Sequence, residues 1–295
     1  MLRAVTVLLS LALLLPGSAG AQSGPLRDLA RLQRNTNAER FEALQEILKE
    51  RGIPFEIQAF DSAKIGGPGE GRNLVATFGS GSREIVVGAH YDAVELKKEG
   101  RLSRGMVDNG AGVIALAGLA EALRGKPLRH RVRVVFFDQE EKCLCGSKSY
   151  VAAGKPAEMA AAVNVDILAY GDTLLFGGGK GEGNAAVYRA LQRVCAARRL
   201  GCLEFPSFPT GDDRSFEAAR VPNVSVAFLP AVEAHQLWLL LNGGKDSGLR
   251  EGFAPPILQV IHTPGDVLEK VDPATVERAP GVLLDLVTEL DSTLD

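Results

Sequence analysis

The sequence predicts a three-layer α/β/α domain built around a mixed, largely parallel β-sheet. Two observations support this fold class. Short apolar runs of strand length alternate along the chain with longer segments of helical periodicity. Several of these runs end in polar residues, as strands do where an open α/β sheet forms its binding site. The composition agrees, because 46% of the 295 residues are hydrophobic and 23% are charged, which is typical of a folded globular protein.

The first 21 residues are predicted to be a secretory signal peptide, which leaves residues 22–295 as a single domain. Arg3 precedes an apolar run from Val5 to Leu15, and small residues stand just before Gln22. The run is shorter than the roughly 20 residues that a membrane-spanning helix needs, although an uncleaved anchor is the alternative. We therefore expect export to the periplasm or the extracellular space, with no membrane contact after cleavage.

Five short segments are predicted to be strands because they are apolar, and several are rich in valine and isoleucine. They are residues 54–60, 73–78, 84–90, 131–137 and 161–168. Three longer segments have the length and pattern of helices packed on a sheet, namely residues 109–125, 184–201 and 272–290. Glycine stops the first two helices, and Asp272 is placed to cap the third.

The charge pattern argues against nucleic acid as a partner. The formal net charge is −3, and no cluster of lysines or arginines resembles a nucleic-acid footprint. The glycine-rich segments 65–73 and 177–184 match neither common phosphate-binding spacing, so we interpret them as turns.

Four cysteines are expected to meet an oxidising compartment. Cys195 and Cys202 are close enough in sequence to close a small disulfide loop. Cys143 and Cys145 are separated by a single residue, a spacing at which a bridge is strained. We therefore expect this second pair to be two buried free thiols.

Histidines and acids stand at the ends of the predicted strands. His90 and Asp92 close the strand at 84–90 and are expected to project from the same side. Asp108 stands just before the first helix, and Glu140 and Glu141 follow the strand at 131–137. Further along the chain, Asp166 and His262 each follow an apolar run.

Taken singly, each of these residues has an ordinary explanation as a helix cap, a solvated acid or a hydrogen-bonded histidine. Together they would concentrate like charge at one edge of a sheet, which requires compensating cations. Imidazole and carboxylate ligands suit zinc. With one bridging carboxylate there are enough ligands for two zinc ions, and one glutamate remains as a base for a metal-bound water.

The motifs resemble those of the M28 zinc aminopeptidases, a family with the zinc-dependent exopeptidase fold. In order, residues 90–266 contain "HYD", "DNGAG", "EE" followed by "GS", an aspartate on the next strand, and a late "HTPGD". The resemblance implies that His90 and Asp166 bind one zinc ion, that Glu141 and His262 bind the other, and that Asp108 bridges the two. It also implies that Glu140 is the general base and that Asp92 orients His90. A cis peptide between Asp108 and Asn109 is expected on the same ground.

Several positions depart from the family pattern. The family segment "SDH-x-x-F" is represented here by "GDDRSF", in which Asp212 and Phe216 match. Arg214 in this segment either reaches an acidic substrate side chain or is solvated, and we favour the second. Cys143 stands where the family usually has glycine, and Ile261 stands where some members have an oxyanion-stabilising tyrosine.

Residues 233–256 have no counterpart in the family pattern that we can name. They form either a flap over the substrate pocket, with Trp238 as a wall, or a core helix followed by a loop. The substrate-pocket candidates are thus Asp212, Arg214, Phe216 and Trp238. His130 and His235 lie outside the motifs and are interpreted as structural or solvated.

The resulting functional hypothesis is a secreted di-zinc aminopeptidase that hydrolyses N-terminal residues from peptides or small amino-acyl substrates. In it, a metal-bound hydroxide attacks the carbonyl and a glutamate is the general base. One alternative is a glutaminyl cyclase, which shares the fold, uses one catalytic zinc and performs intramolecular aminolysis. Another is a non-catalytic domain of the same fold. The intact ligand set argues against that last alternative, because buried acids without metal would be destabilising.

Overall fold

The computed structural model describes residues 24–181, 183–244 and 253–295. In chain order its strands are β1 (Glu56–Asp61), β2 (Glu70–Phe78), β3 (Glu84–His90), β4 (Glu95–Leu96), β5 (Arg101–Leu102), β6 (Arg131–Phe137), β7 (Met159–Val165), β8 (Thr173–Gly177), β9 (Gly201–Phe205) and β10 (Asn223–Leu229). Its α-helices are α1 (Gly24–Arg31), α2 (Asn37–Glu50), α3 (Ala111–Leu123), α4 (Glu140–Cys143), α5 (Cys145–Ala153), α6 (Asn184–Arg198), α7 (Asp213–Ala218), α8 (Ala231–Asn242) and α9 (Pro273–Thr293). A turn at Met106–Gly110, in which Asp108 and Asn109 have non-helical backbone angles, leads into α3.

Eight of the strands form one sheet in the order β1-β2-β6-β3-β7-β10-β8-β9, and β4 and β5 form a separate hairpin. The four central strands, β6, β3, β7 and β10, are parallel to one another. Antiparallel pairing joins β1 to β2, β2 to β6, and β8 to β10, while β9 runs parallel to β8. The predicted mixed sheet is therefore confirmed, and its parallel centre brings the carboxyl ends of β3, β6 and β7 to one edge.

A hydrophobic core lies on each face of the sheet, which gives the three predicted layers. Successive strand residues alternate between the cores, so that Ile85 and Val87 of β3 belong to the larger one and Val86 to the smaller. Helices α3, α6 and α9 cover the larger core, and α5 and α7 cover the smaller. Helix α3 approaches α9 closely because Gly118 leaves room for Pro280, which a Cβ at residue 118 would meet at 2.7 Å.

The predicted elements agree closely with the structure where the apolar pattern is continuous. β3 and β6 have the predicted bounds, and Asp272 caps α9 by accepting a hydrogen bond from the Ala274 N–H at 3.0 Å. The prediction for residues 161–168 ran past the end of β7. Strands β8, β9 and β10 were not predicted, and Gly201, expected to end a helix, begins β9.

Both cysteine pairs are disulfide-bonded. The bond between Cys195 and Cys202 is the one that their spacing predicted. Cys143 is bonded to Cys145, so the expectation of free thiols for this pair was wrong. The reason is local: Leu144 has a φ of 54°, and the resulting turn between α4 and α5 brings the Cα atoms of the two cysteines to 4.9 Å.

Among the described residues, one helical stretch, Met106–Leu123, is long and apolar enough to cross a membrane. It is 83% buried inside the fold, as expected of a core helix. The predicted signal peptide, residues 1–21, lies outside the described residues.

Candidate metal centre

The acids and histidines singled out in the sequence meet at the carboxyl edge of the parallel strands. His90 is the last residue of β3, and Asp166 follows the last residue of β7. Glu140 and Glu141 begin α4, three residues after β6 ends. The structure thus places these four side chains where open α/β sheets form their sites.

Two groups of possible metal ligands share one carboxylate. In the first, His90 Nε2 lies 3.1 Å from Asp108 Oδ1 and 3.8 Å from Asp166 Oδ1. In the second, His262 Nε2 lies 3.2 Å from Asp108 Oδ2 and 3.1 Å from Glu141 Oε2. Within each group the ligand atoms lie within 4.8 Å of one another. Asp108 therefore offers one oxygen to each group, which is the arrangement of a bridging carboxylate.

Two buried oxygens of this site have no hydrogen-bond donor among the described residues. Glu141 Oε1 and Asp166 Oδ1 are buried and have no hydrogen-bond partner among the described residues. Leaving such atoms unpaired is costly in a protein interior. Nitrogen and oxygen donors of this kind match the ligands that zinc takes, so the donor set fits zinc, although its role in binding stays a prediction.

The turn that carries Asp108 is joined to the other site segments. The peptide bond between Asp108 and Asn109 is cis, as the family resemblance implied. The Asn109 side chain donates a hydrogen bond to the carbonyl of Val165 at 2.8 Å and accepts one from the N–H of Ile167 at 3.3 Å. These two bonds attach the turn to the chain on both sides of Asp166.

Asp92 contacts His90, as its predicted role requires, and also the two glutamates. Its backbone carbonyl, at 3.1 Å, is the nearest hydrogen-bond partner of His90 Nδ1, and its carboxylate lies 3.5 Å from the same nitrogen. A proton on Nδ1 leaves Nε2 free to face Asp108. The Asp92 carboxylate accepts hydrogen bonds from the backbone N–H groups of Glu140 and Glu141, at 3.0 and 3.2 Å. Asp92 therefore positions both glutamates relative to β3.

Glu140 belongs to neither group of ligands. Burial raises the pKa of its carboxyl well above the ordinary value, and the negative charges of Asp212, Asp166 and Asp92 add to this effect against the opposing charge of His90. A carboxyl with a raised pKa exchanges protons more readily near neutral pH. Glu140 is thus suited to accept and return a proton beside the ligand groups.

The pKa values of both histidines are raised as well, which favours their charged forms. The hydrogen bonds that His262 donates to the carboxylates of Asp108 and Glu141 raise its pKa to about 10. Burial by itself would raise the pKa of Asp108, but hydrogen bonds from His262 and His90 outweigh burial and lower it. The site is therefore one that favours positive charge, whether protons or metal ions supply it.

Of the substrate-pocket candidates, Asp212 lies beside the site. It is 1% exposed, neither of its carboxylate oxygens has a hydrogen-bond partner among the described residues, and burial raises its pKa to about 7. Arg214 pairs with Glu217 on its own helix at 2.5 Å, which agrees with the interpretation of a partly solvated side chain.

The other two pocket candidates are placed elsewhere. Phe216 is 2% exposed and packs against Phe137 and Tyr150 in the smaller core, which is a structural position. Trp238 lies on α8, and its indole N–H donates to the carbonyl of Glu204 in β9, an edge strand of the sheet. This part of residues 233–256 is thus a packed helix, the second of the two alternatives, and residues 245–252 lie outside the described ones.

The remaining histidines agree with their predicted structural or solvated character. His130 is buried and lies 3.1 Å from the carboxylate of Asp291, and His235 is exposed. Two residues near the site carried no predicted role, namely Arg40 and Asp266. Asp266 stands in the "HTPGD" motif, which was a signal available in the sequence, whereas Arg40 lies in a helix and has no local motif.

Comparisons with known proteins identify both a family and a fold. The family model described as peptidase family M28 matches residues 73–287, and no curated protein matches the chain. The zinc aminopeptidase BSAP from Bacillus subtilis superposes with a TM-score of 0.59 at 18% identity, over 75% of this chain and 50% of that one. This chain therefore spans about half the length of the Bacillus enzyme.

Two further solved structures cover more of the chain. The LapA aminopeptidase from Legionella pneumophila has a TM-score of 0.67 at 15% identity, over 92% of this chain and 71% of that one. The glutaminyl cyclase from Porphyromonas gingivalis has a TM-score of 0.68 at 16% identity, over 90% of this chain and 95% of that one. At such identities these likenesses concern the fold.

Proposed function

The chain belongs to peptidase family M28, and on this premise we propose that it is a di-zinc aminopeptidase, which removes N-terminal residues from peptides. The observation that carries the proposal is the shared carboxylate of Asp108, whose two oxygens lie 3.1 and 3.2 Å from the Nε2 atoms of His90 and His262. A carboxylate placed between two histidines, each with a further acid beside it, is suited to two neighbouring cations.

In this proposal His90 and Asp166 would hold one zinc ion, Glu141 and His262 would hold the other, and Asp108 would contribute to both. The zinc ions, when bound, supply Lewis acidity that polarises the scissile carbonyl and makes a water molecule more acidic. The unpaired buried oxygens of Glu141 and Asp166 support this assignment, since a cation would satisfy both of them.

The Glu140 carboxylate moves the proton. It accepts a proton from the attacking water and returns it to the nitrogen of the leaving amine. Its place at the start of α4, fixed by the hydrogen bond from its N–H to Asp92, keeps it next to Glu141 while leaving its carboxylate outside the ligand groups. An exopeptidase must also recognise a free α-ammonium group, and the acidic surroundings of the site favour that cation.

A glutaminyl cyclase is the second candidate. The observation that favours it is the likeness to the Porphyromonas cyclase, which extends over 95% of that chain. Against it stands the second ligand group of Asp108, Glu141 and His262 beside the first. A single catalytic zinc, which the family resemblance implies for a cyclase, would need only one such group.

We further propose that residues 1–21 direct export and are removed, and that residues 22–295 form one domain acting on peptides and not on nucleic acid. Two disulfides support an oxidising compartment, because such bonds persist mainly in exported proteins. N-terminal sequencing of the exported protein tests this point: a start near Gln22 is expected, and a retained Met1 would contradict it.

Hydrolysis of a panel of amino-acid p-nitroanilides, run beside cyclisation of peptides with N-terminal glutamine, tests the activity. Release of nitroaniline that stops with a chelator and returns with zinc supports the aminopeptidase. Ammonia release from the glutamine peptides without anilide hydrolysis would replace it with the cyclase. The variant His262→Ala is expected to lose activity, and the matched control His235→Ala, which alters an exposed histidine outside the site, is expected to keep it.

A further inference from the structure

Arg40 is a fully buried arginine on α2, outside the residues that the family model matches. Its exposure is 0%, and among the described residues no carboxylate lies within ion-pair distance of its guanidinium group. A buried cation without a counter-ion in contact is costly unless hydrogen bonds satisfy it. Its partners are therefore informative about what the residue does.

The guanidinium group donates four hydrogen bonds, all to backbone carbonyls. Nε donates to Tyr91 at 2.7 Å, Nη1 donates to Arg104 at 2.8 Å and to Leu32 at 3.0 Å, and Nη2 donates to Gly105 at 3.2 Å. The planar fork of an arginine holds several acceptors in fixed directions, which a lysine ammonium does not. Arg40 thus joins three chain segments, and two of them lie more than 50 residues away in sequence.

Two of these segments carry candidate ligands. Tyr91 stands between His90 and Asp92, and Gly105 stands three residues before Asp108. The contact is close, because a Cβ at Gly105 would lie 3.2 Å from Arg40 Nη1 and 2.8 Å from the Cβ of Ala93. Gly105 also has a φ of 59°, which suits glycine. A displacement of the guanidinium group would therefore move both segments.

Asp266 holds the Asp108 segment from its amide side. Its buried carboxylate accepts hydrogen bonds from the backbone N–H groups of Met106, Val107 and Asp108, at 2.8, 2.6 and 3.2 Å. The carbonyls of residues 104 and 105 accept hydrogen bonds from Arg40, and the N–H groups of the next three residues donate to Asp266. The direction of each of these peptide units is therefore fixed by a charged side chain.

Burial lowers the pKa of Arg40 to about 10, so the side chain remains charged at neutral pH. The carboxylates of Asp92, Asp266, Asp108 and Glu141 act in the opposite direction and stabilise that charge. The positive charge on its own opposes the binding of zinc, whereas the hydrogen bonds favour it by holding the ligands in place. The two effects have opposite signs and can be separated by mutation.

We propose that Arg40 is a positioning residue of the metal centre, which sets the relative placement of His90 and Asp108 through the carbonyls of Tyr91 and Gly105. This inference rests on the proposed zinc function. Residues that orient metal ligands typically contribute about 10- to 100-fold to metal affinity, and we expect an effect of that size here.

The test is zinc affinity, measured by competition with a chromophoric chelator, together with the absorption spectrum of the cobalt(II) form. Arg40→Lys keeps the charge but loses the fork, and Arg40→Met loses both. The matched control is Arg51→Met, because Arg51 lies at the end of the same helix and pairs with Asp28 and Glu121, away from the site. Melting temperatures of the metal-free proteins report the purely structural effect.

We expect both Arg40 variants to bind zinc about 10- to 100-fold more weakly and to have an altered cobalt spectrum, while Arg51→Met loses thermal stability but keeps the wild-type affinity. Wild-type affinity and spectrum in Arg40→Lys would overturn the positioning role and leave the proposed function intact. Tighter binding by Arg40→Met would overturn it too, since charge alone would then explain the residue. A wild type that binds no zinc would overturn both proposals. If Arg40→Met does not fold, the zinc affinity and cobalt spectrum of Arg40→Lys alone test the positioning role.

Discussion

Replacing Glu140 and Glu141 one at a time by glutamine is expected to separate proton transfer from metal binding in two adjacent residues. Glu141 Oε2 lies 3.1 Å from His262 Nε2, whereas the Glu140 carboxylate belongs to neither ligand group. Glutamine has the size of glutamate and keeps the backbone N–H that each residue donates to Asp92. The two substitutions therefore alter the carboxylates with little change to the position of α4.

The two substitutions are expected to change different quantities, the reaction rate in Glu140→Gln and the zinc content in Glu141→Gln. Glu140→Gln removes the group that exchanges the proton, which is typically worth about 10²- to 10⁴-fold in rate. That loss corresponds to about 2.7 to 5.4 kcal/mol in the activation barrier, and zinc content should be unchanged. Glu141→Gln removes one charged ligand of the second group, so we expect its zinc content to fall towards one ion per chain, with activity falling as well.

The assay is zinc content by elemental analysis, paired with kcat on the best p-nitroanilide at saturating zinc. Two results would refute the assignment of roles. One is a Glu140→Gln enzyme whose kcat stays within about tenfold of the wild type, well below the usual contribution of a general base. The other is loss of zinc from Glu140→Gln with zinc retained in Glu141→Gln.

Three further predictions concern stability. Zinc at 100 times its dissociation constant should stabilise the fold by about 2.7 kcal/mol, which raises the melting temperature by roughly 5 to 11 °C. An unchanged melting temperature in a thermal scan would contradict this prediction. In the metal-free protein the pKa of His262 is raised to about 10. The stability that its carboxylate partners provide should therefore be complete below about pH 6.5 and lost as the pH rises through 10. A free energy of unfolding in urea that does not decline over this range would contradict the prediction. Asp291→Ala should cost about 1 to 3 kcal/mol, because Asp291 accepts hydrogen bonds from the backbone N–H groups of Arg129 and His130, while zinc content and kcat stay unchanged.

Much of the fold was predictable from the sequence where one physical signal dominated. β3 and β6 are continuous apolar runs at the centre of a parallel sheet, and their bounds were predicted without error. β8 and β9 were missed because they are short and lie towards one edge of the sheet. β10 was missed although all its residues are buried, because polar Asn223 and Ser225 interrupt its apolar run.

The ligands of the candidate site could be predicted from the sequence, but the residues that hold those ligands in position could not. His90 ends β3, Asp108 precedes α3 and Asp166 follows β7, and short motifs reveal these positions in order. Arg40 could not be predicted in this way, because its four partners are backbone carbonyls, which leave no mark on the residue types at those positions. The disulfide between Cys143 and Cys145 was missed for a related reason, since it depends on a positive φ at Leu144, a residue that gives no sign of such a turn.

The measurement that tests the central claim most directly is the number of zinc ions bound per chain after metal-free protein is equilibrated with zinc and freed of excess. Two ions per chain are predicted, because the two ligand groups that share Asp108 each offer three donors. A single ion that leaves the second group without metal would contradict the di-zinc centre and favour the cyclase. Absence of zinc would contradict metal-dependent function at this site altogether.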